Sequence, residues 1–433
     1  MKFLKANLIN IFFSGFLAIL NMVLSIVEAR VMGPIGVGNY QIFVSTQTVI
    51  TTLFAFGLGS AGIYYINSGK STSQEFITTV LKAELILCSV VFVSLFTIIK
   101  LWPDYFGTIP FHSLLIYCIG SSATLLSTAI TPVLLAKFQI IKYQSVSFVT
   151  TVLSIVAIGI IYLKYGTLQV SNLIDITGIC RIIGAICLLW FIKIDFVYGL
   201  KFSIKILWVY MKYGIQFAMS NVAYICILNV PIYAISWLVS DGYFGVGLYT
   251  RAVAICTIAM FVNKQIGPLF FSKLSGSSDV GKVEQAKLMA TFFLIFNASM
   301  VITINIFANN IVSILYGIDF LPAVPLVHYL SLSVIFTGLN ELINNLLSSI
   351  GKPRYIFFNL IISVLILIPV IYIFIKYFGL IGAPLAVTIV NCLTTVLLIK
   401  TLRKHLPISY TDLLLLTPAK IRCCLEYFRF IKK

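Results

Sequence analysis

Twelve long apolar runs divide this chain, and they constrain its fold more than any other feature. A helix needs about 20 mostly apolar residues to cross the hydrocarbon layer of a bilayer. Lipid offers the backbone no hydrogen-bond partners, so segments of this length cross it as helices. The sequence therefore predicts an all-α membrane protein with about 12 transmembrane helices, at residues 8–31, 40–66, 80–101, 109–136, 143–163, 173–192, 208–239, 246–271, 288–316, 322–350, 356–375 and 380–402.

The composition agrees with a surface that faces lipid. Hydrophobic residues make up 60% of the 433 residues, charged residues make up 10%, and the mean hydropathy is +1.06. A soluble domain carries roughly 25% charged residues. The net charge of +17 does not indicate nucleic acid binding, because the basic residues lie between the apolar runs and form no single patch.

A motif that occurs twice indicates that the chain has two similar halves. Gly33–Tyr40 and Gly242–Tyr249 share five residues on the pattern Gly-x-x-Gly-Val-Gly-x-Tyr, at an offset of 209. Lys164 and Lys376 begin a second pair of matching segments, at an offset of 212. A repeat at half the chain length indicates a duplication. We therefore expect an N-terminal six-helix lobe at 1–200, a C-terminal six-helix lobe at 201–402 and a basic cytoplasmic tail at 403–433.

The lysines and arginines predict how the chain is oriented. If the N-terminus is inside, 23 of the 30 Lys and Arg residues fall on the same side of the membrane. Cytoplasmic loops are the ones enriched in these residues, so we expect both termini in the cytoplasm. The tail is too short to span the membrane and is basic from Lys420 onward, so we expect it to lie along the anionic inner leaflet.

None of the patterns that would indicate an enzyme occurs in the structural context that it requires. Gly57–Gly62 matches Gly-x-Gly-x-x-Gly, but it lies inside an apolar run with no strand before it, where small residues allow close helix packing. The three histidines are far apart, and the nine cysteines are scattered without a Cys-x-x-Cys pair. We therefore predict a transporter with no catalytic residues, no metal site and no cofactor.

Polar residues inside the apolar runs are the candidates for a functional site, because burying them in lipid without a partner or a wet cavity is costly. The first predicted helix carries a polar stripe, and its cavity-lining candidates are Asn21, Ser25 and Glu28. The tenth predicted helix carries a second group on one side, and its candidates are Asn340, Glu341 and Asn344. Such groups either line an aqueous cavity, which we prefer for the first helix, or form hydrogen bonds between helices.

Four basic residues are candidates for binding an anionic group, namely Arg181, Lys264, Arg30 and Arg251. Arg181 lies near the middle of the sixth run, about 12 Å from either end at 1.5 Å per residue. A guanidinium offers five donors in a rigid fork that suits phosphate. Pairing with a neighbouring glutamate or with the carbonyl groups at a helix end also explains an arginine at this depth, so both interpretations stay open.

The other three cations lie in different settings. Lys264 precedes Gly267-Pro268, a pair that should kink or break the eighth helix. Arg30 and Arg251 each lie beside one of the two glycine motifs. There they form either a basic outer rim or side chains that snorkel to the membrane interface.

Four segments resemble bacterial polysaccharide flippases. Arg30–Tyr40 and Phe56–Ser60 resemble the first helical hairpin of these proteins, and Gly351–Tyr355 and Phe378–Ala386 resemble their second half. They are the Wzx-type exporters of O-antigen and capsule repeat units, used for lipopolysaccharide and other surface polysaccharides. Their superfamily includes MATE multidrug exporters and lipid II flippases.

The resemblance implies an architecture, a substrate and a location. It implies two six-helix lobes that face each other in a V, with a central cavity open to each side of the plasma membrane in turn. It implies a substrate of oligosaccharide linked through pyrophosphate to undecaprenol, in contact with membrane lipids. A polysaccharide polymerase and a chain-length regulator are the expected protein partners. The family has no invariant catalytic set, so the resemblance identifies no residue.

The charges favour this substrate over two alternatives. The sugar needs a polar cavity and the pyrophosphate needs cations, and the chain places Arg181 and Lys264 within its apolar runs. A MATE-like ion-coupled exporter of cationic drugs would favour buried carboxylates, for which Glu341 is the strongest candidate. A membrane-embedded polymerase or ligase would be expected to carry a large outer loop with catalytic residues, and the outer loops here are short and nearly neutral.

Overall fold

The structure is a computed structural model. It describes residues 2–137, 139–192, 203–275, 279–352 and 354–416 together with 418, 420 and 422, with side chains for all of these except 2–12, 140, 266–275 and 279–280. The helices form two compact units, Met1–Asn229 and Val230–Lys433. The predicted junction at residue 200 and the end of the predicted tail, residues 423–433, lie outside the described residues.

Most of the described residues are helical, and none of them belongs to a β-strand. Ten stretches among them are long and apolar enough to cross a membrane, and two of these stretches, Phe13–Phe54 and Arg354–Leu402, each contain two helices. The prediction of an all-α membrane protein with about 12 spanning helices is confirmed. The helices are α1 (Lys2–Phe54), α2 (Leu58–Asn67), α3 (Ser73–Leu101), α4 (Pro103–Phe106), α5 (Phe111–Ala136), α6 (Ile140–Tyr165), α7 (Val170–Ile192), α8 (Ile204–Leu238), α9 (Gly242–Ser275), α10 (Asp279–Leu315), α11 (Val324–Ser349), α12 (Arg354–Phe378), α13 (Gly382–Leu402) and α14 (Tyr410–Leu414), with short 3-10 helices at Ile318–Ala323 and Gly379–Ile381.

The first two predicted spans are joined without a loop. Helix α1 runs from Lys2 to Phe54, and Gly33 departs from helical geometry with φ 64° and ψ 179°. Glycine adopts a positive φ without steric cost, and Pro34 after it lacks the N–H that a continuous helix would use. The first glycine motif is therefore the joint between two spanning helices.

The second predicted span, 40–66, is interrupted where α1 ends. Between α1 and α2 the backbone turns through Phe56 at φ 46° and Gly57 at φ 65°. Phe56 has a positive φ although it is not a glycine, a conformation that is strained for a bulky residue. Tight packing around this turn must therefore hold it in place.

The first part of α8 supplies that packing. A Cβ atom placed on Gly214 would lie 2.6 Å from the carbonyl oxygen of Phe56, so the two backbones are in contact. Nearby, Tyr213 stacks on Tyr64 of α2 with ring centroids 4.3 Å apart. The first part of α8, as far as Asn229, accordingly belongs to the N-terminal unit.

Helix α5 lies at the centre of the N-terminal unit and packs against α3 and α7. A Cβ atom on Gly120 of α5 would lie 2.8 Å from the Cα atom of Gly178 of α7. Small residues of this kind let membrane helices approach closely. Towards the other end of α5, Val133 and Leu134 are buried against Phe76 of α3. These contacts fix α5 and α7 beside each other, with α1 and α6 completing the group around the cavity described below.

Helix α11 is the central helix of the C-terminal unit, and α9, α10 and α13 pack against it. Its buried side chains Leu342, Ile343 and Leu346 form a core with Phe293 of α10 and Leu398 of α13. The short helix α14 extends this core, because Leu413 is fully buried in the same cluster.

Polar contacts attach α14 to α10. A capping box joins Ser409 and Asp412, and Asp412 Oδ1 lies 3.2 Å from Lys287 Nζ. Burial by itself raises the pKa of Asp412, but the hydrogen bonds from Ser409 and Lys287 outweigh this effect and lower the pKa below its ordinary value. Asp412 therefore stays ionised, and the beginning of the predicted tail is held against the helices.

Candidate functional site

The N-terminal unit contains a cavity of about 610 Å³, lined by α1, α5, α6 and α7. This volume lies within the range of small-molecule sites. Nine of the 19 lining residues are serine or threonine, and the charged ones are Arg181 and Glu28. Charged residues between membrane helices are costly to bury unless a partner, water or a ligand meets them. The cavity is therefore the candidate site.

Arg181 of α7 lines this cavity and is positioned by a chain of hydrogen bonds. Its Nη1 donates to Oε1 of Gln47 on α1, and Nε2 of Gln47 donates to Oγ1 of Thr124 on α5 at 3.1 Å. Gln47 is only 5% exposed, so this chain is well shielded from solvent. A guanidinium has five N–H donors, and the bond to Gln47 orients it while using one of them. Three helices thus hold one cation at the cavity.

The polar stripe predicted on the first helix has two roles. Glu28 lines the cavity, whereas Asn21 is exposed, Ser25 is half-buried, and neither belongs to the lining. Ser14 of the same stripe accepts a hydrogen bond from Nε2 of Gln144 on α6 at 3.1 Å. One part of the stripe therefore lines the cavity, and another part joins two helices.

The serines and threonines of the lining were not among the predicted residues. Those of α5 are Thr124, Ser127, Thr128 and Thr131, which we call the α5 stripe. Those of α6 are Ser147, Thr150, Thr151 and Ser154, which we call the α6 stripe. Both stripes have the spacing i, i+3, i+4, i+7, which places four side chains on one face of a helix. This repeated spacing is a signal that the sequence offers, although it does not show that the two faces meet at one cavity.

The candidates of the C-terminal unit form a separate polar group on α9 and α11. Lys264 is exposed and lies close enough to Glu341 for a Coulombic interaction, and Asn345 hydrogen-bonds to Glu341. Asn340 accepts a hydrogen bond from Thr395 of α13 at 2.8 Å. The contacts of Lys264 and Thr395 with α11 join neighbouring helices, which is the second of the two roles considered for such residues. Asn344, the third candidate on α11, is half-buried.

Two expectations near the glycine motifs need correction. Arg30 is exposed, but Arg251 is only 6% exposed and its guanidinium lies 5.8 Å from the ring centroid of Tyr316. This cation–π contact keeps Arg251 out of an exposed rim. The sequence predicts a kink or a break at Gly267-Pro268, but α9 continues through this pair to Ser275, so the pair does not end the helix. Spanning helices tolerate proline where neighbouring groups satisfy the freed carbonyl.

The fold is similar to those of solved membrane transporters. An inward-facing MATE multidrug resistance transporter of the MOP superfamily matches with a TM-score of 0.74 at 14% identity, over 90% of this chain and 96% of that chain. The lipid II flippase MurJ, in an inward closed conformation, matches with a TM-score of 0.73 at 16% identity, over 98% of this chain and 93% of that chain. A MOP superfamily transporter from Pyrococcus furiosus matches with a TM-score of 0.67 at 14% identity, over 92% and 95%. At these identities the likeness shows the fold.

The sequence itself matches a family model. No curated protein matches the sequence, but the model of the family described as "Polysaccharide biosynthesis protein" matches residues 4–270. The matched segment is more than half of the chain and includes every residue that lines the cavity. This multi-pass membrane protein therefore belongs to the polysaccharide biosynthesis protein family.

Proposed function

We propose that this protein is a flippase that moves undecaprenyl-pyrophosphate-linked oligosaccharide repeat units across the bacterial plasma membrane by alternating access. The family supports a role in polysaccharide biosynthesis, and the fold is shared with a lipid II flippase and with MATE transporters. The product of this transport is material for a surface polysaccharide such as O-antigen or capsule. On this proposal the chain carries out no bond chemistry, and both of its termini are cytoplasmic.

The observation that carries the proposal is Arg181 beside a hydroxyl-rich cavity. A lipid-linked oligosaccharide has a sugar head that needs polar contacts and a pyrophosphate that needs a cation. The cavity supplies both, with the guanidinium oriented by Gln47 and nine serine or threonine side chains around it. Charge-assisted hydrogen bonds from arginine to phosphate are among the stronger polar contacts in proteins. The polyprenyl tail needs no site within the protein, because it is soluble in the surrounding lipid.

One observation favours a second candidate, an ion-coupled exporter of cationic drugs. Glu28 lines the same cavity as Arg181, and Glu341 lies on α11 in the other unit. Carboxylates at these depths suit a cationic substrate or a coupling ion. We rank this candidate second, because Arg181 would repel a cationic drug within the same cavity and because the family is one of polysaccharide biosynthesis.

Deletion of the gene separates these functions. We expect loss of surface polysaccharide, with lipid-linked repeat units accumulating on the cytoplasmic side, and restoration of export by the full chain. Single repeat units displayed outside without polymer would instead identify a polymerase. Unchanged polysaccharide together with increased sensitivity to cationic drugs would identify the exporter.

A further inference from the structure

The hydroxyl groups of the α5 stripe all donate to their own helix. Each of the four donates to a backbone carbonyl three or four residues earlier, at 2.7–3.0 Å. A hydroxyl group has one proton and two acceptor lone pairs. Because the proton is used within the helix, each group presents lone pairs to the cavity.

Four further hydroxyl groups of the lining repeat this arrangement. Thr150, Thr151 and Ser154 of the α6 stripe donate to backbone carbonyls at 2.9–3.0 Å. Thr177 of α7 donates to the carbonyl of Leu173 at 2.8 Å. Eight of the nine serine and threonine hydroxyl groups of the lining therefore present acceptor lone pairs to the cavity. One of these hydroxyl groups, that of Thr124, already accepts a hydrogen bond from the side-chain amide of Gln47.

The charges of the lining limit what else can bind. Arg181 is the cationic lining residue and Glu28 is the anionic one. Under the proposed function, Arg181 contacts the pyrophosphate. A carboxylate on the sugar would then face lone pairs and Glu28, since Arg181 is the one cation among the lining residues whose side chains the structure describes. Removing a charged group from water without a partner costs far more than removing a hydroxyl group.

We propose that the cavity binds an uncharged glycan, whose hydroxyl and amide N–H groups donate to the two stripes, and that it selects against acidic sugars. This inference rests on the proposed function and names the class of head group. A sugar hydroxyl or an N-acetyl amide can donate to a stripe without disturbing the bonds within the helix. A carboxylate needs donors, and seven of the eight stripe hydroxyl groups already donate within their own helices.

Binding of three probes by the full-length protein in lipid vesicles tests this selection. All three probes contain the same polyprenyl pyrophosphate. The first carries no sugar, the second carries a neutral N-acetylated disaccharide, and the third carries a disaccharide that ends in a uronate. One hydrogen bond changes affinity by about two- to tenfold. We therefore expect the neutral disaccharide to bind about tenfold or more tightly than the probe without sugar, and the uronate probe to gain little.

Matched substitutions test the stripes directly. Thr128→Val and Thr151→Val remove a hydroxyl group but keep the branched shape of the side chain. Each should weaken binding of the neutral probe about two- to tenfold and leave binding of the sugar-free probe unchanged. Thr48→Val is the control, because Thr48 of α1 also donates to its own helix, to the Val44 carbonyl at 2.7 Å, but does not belong to the lining.

The outcomes separate this inference from the proposed function. Equal binding of the uronate and neutral probes overturns the inference, and so does unchanged binding of the neutral probe by both stripe variants. In either case, binding of the sugar-free probe leaves the proposed function standing. If none of the three probes binds, the proposed function fails and the inference fails with it.

Discussion

For Arg181, the sequence predicts the depth in the membrane but not the hydrogen-bond partner. Its depth follows from counting residues along an apolar run, and the structure places it in the lining of the cavity. Its partner Gln47 could not be predicted, because the two are 134 positions apart and no local pattern relates α7 to α1. For Arg251 the position in the sequence is misleading, because it suggests a residue of an exposed rim, whereas the side chain packs on Tyr316.

The residue-scale prediction concerns the charge of Arg181. Arg181→Ala should reduce binding of a polyprenyl pyrophosphate about ten- to a hundredfold, because a hydrogen bond to a charged group contributes about 1.5–3 kcal/mol. Arg181→Lys keeps the charge but loses the planar fork, and should retain part of the binding. Binding and polysaccharide export are measured together with the amount of protein in the membrane.

Protein abundance is the control for this prediction. If Arg181 served only to hold α7 against α1, Arg181→Ala would leave Gln47 buried without its partner, at a cost of about 1–3 kcal/mol. Folded protein would then decrease together with export. Normal export at normal abundance would remove Arg181 from the site.

At the scale of helices, hydropathy predicts the elements well and their interruptions poorly. Apolar length gives twelve spans, because the bilayer imposes that length on any helix that crosses it. The turn at Phe56 and Gly57 could not be predicted, because its surroundings are apolar and the contact that holds it comes from Gly214, far along the chain. Gly267-Pro268 looks like a break but lies in a continuous helix. Local sequence predicts a helix, and packing decides where it is interrupted.

The element-scale prediction tests that packing with two glycines. A Cβ atom on Gly214 would lie 2.6 Å from the Phe56 carbonyl oxygen and 2.7 Å from that of Gly57. Backbone atoms cannot move aside easily, so Gly214→Ala should destabilise the protein by about 1–3 kcal/mol. The thermal unfolding temperature of the purified protein in detergent reports this change.

Gly159→Ala is the matched control. Gly159 lies within α6, and a Cβ atom there has no other atom within 4 Å. Alanine is favoured over glycine inside a helix by roughly 0.5–1 kcal/mol, so this variant should be as stable as the original or slightly more so. Equal unfolding temperatures for the two variants would show that α8 does not hold the turn in place.

At the scale of the whole molecule, the two similar halves and the orientation both stay predictions. Two glycine motifs at an offset of 209 predict two similar halves, and the contacts divide the helices into two units. The distribution of lysine and arginine then predicts which side of the membrane each loop occupies. Chemical labelling of intact cells is the direct test of that orientation.

The whole-molecule prediction places two engineered cysteines on opposite sides of the membrane. Ser203→Cys precedes α8 and should be shielded from an impermeant thiol reagent in intact cells. Thr108→Cys lies between α4 and α5 and should react. Cells with the original chain give the background from its nine native cysteines, and permeabilised cells show that both positions can be labelled. Reaction of Ser203→Cys from outside would reverse the orientation.

The packing of helix α8 has a consequence for where this chain can be divided. On the division predicted from the repeat, α8 begins the second half, yet its first part packs with the helices of the N-terminal unit, through Gly214 and Tyr213. The strained turn at Phe56 thus depends on a residue that lies beyond the predicted first half. A chain cut at residue 200 would keep the turn but lose the contact that holds it, so residues 1–200 are not a self-contained unit.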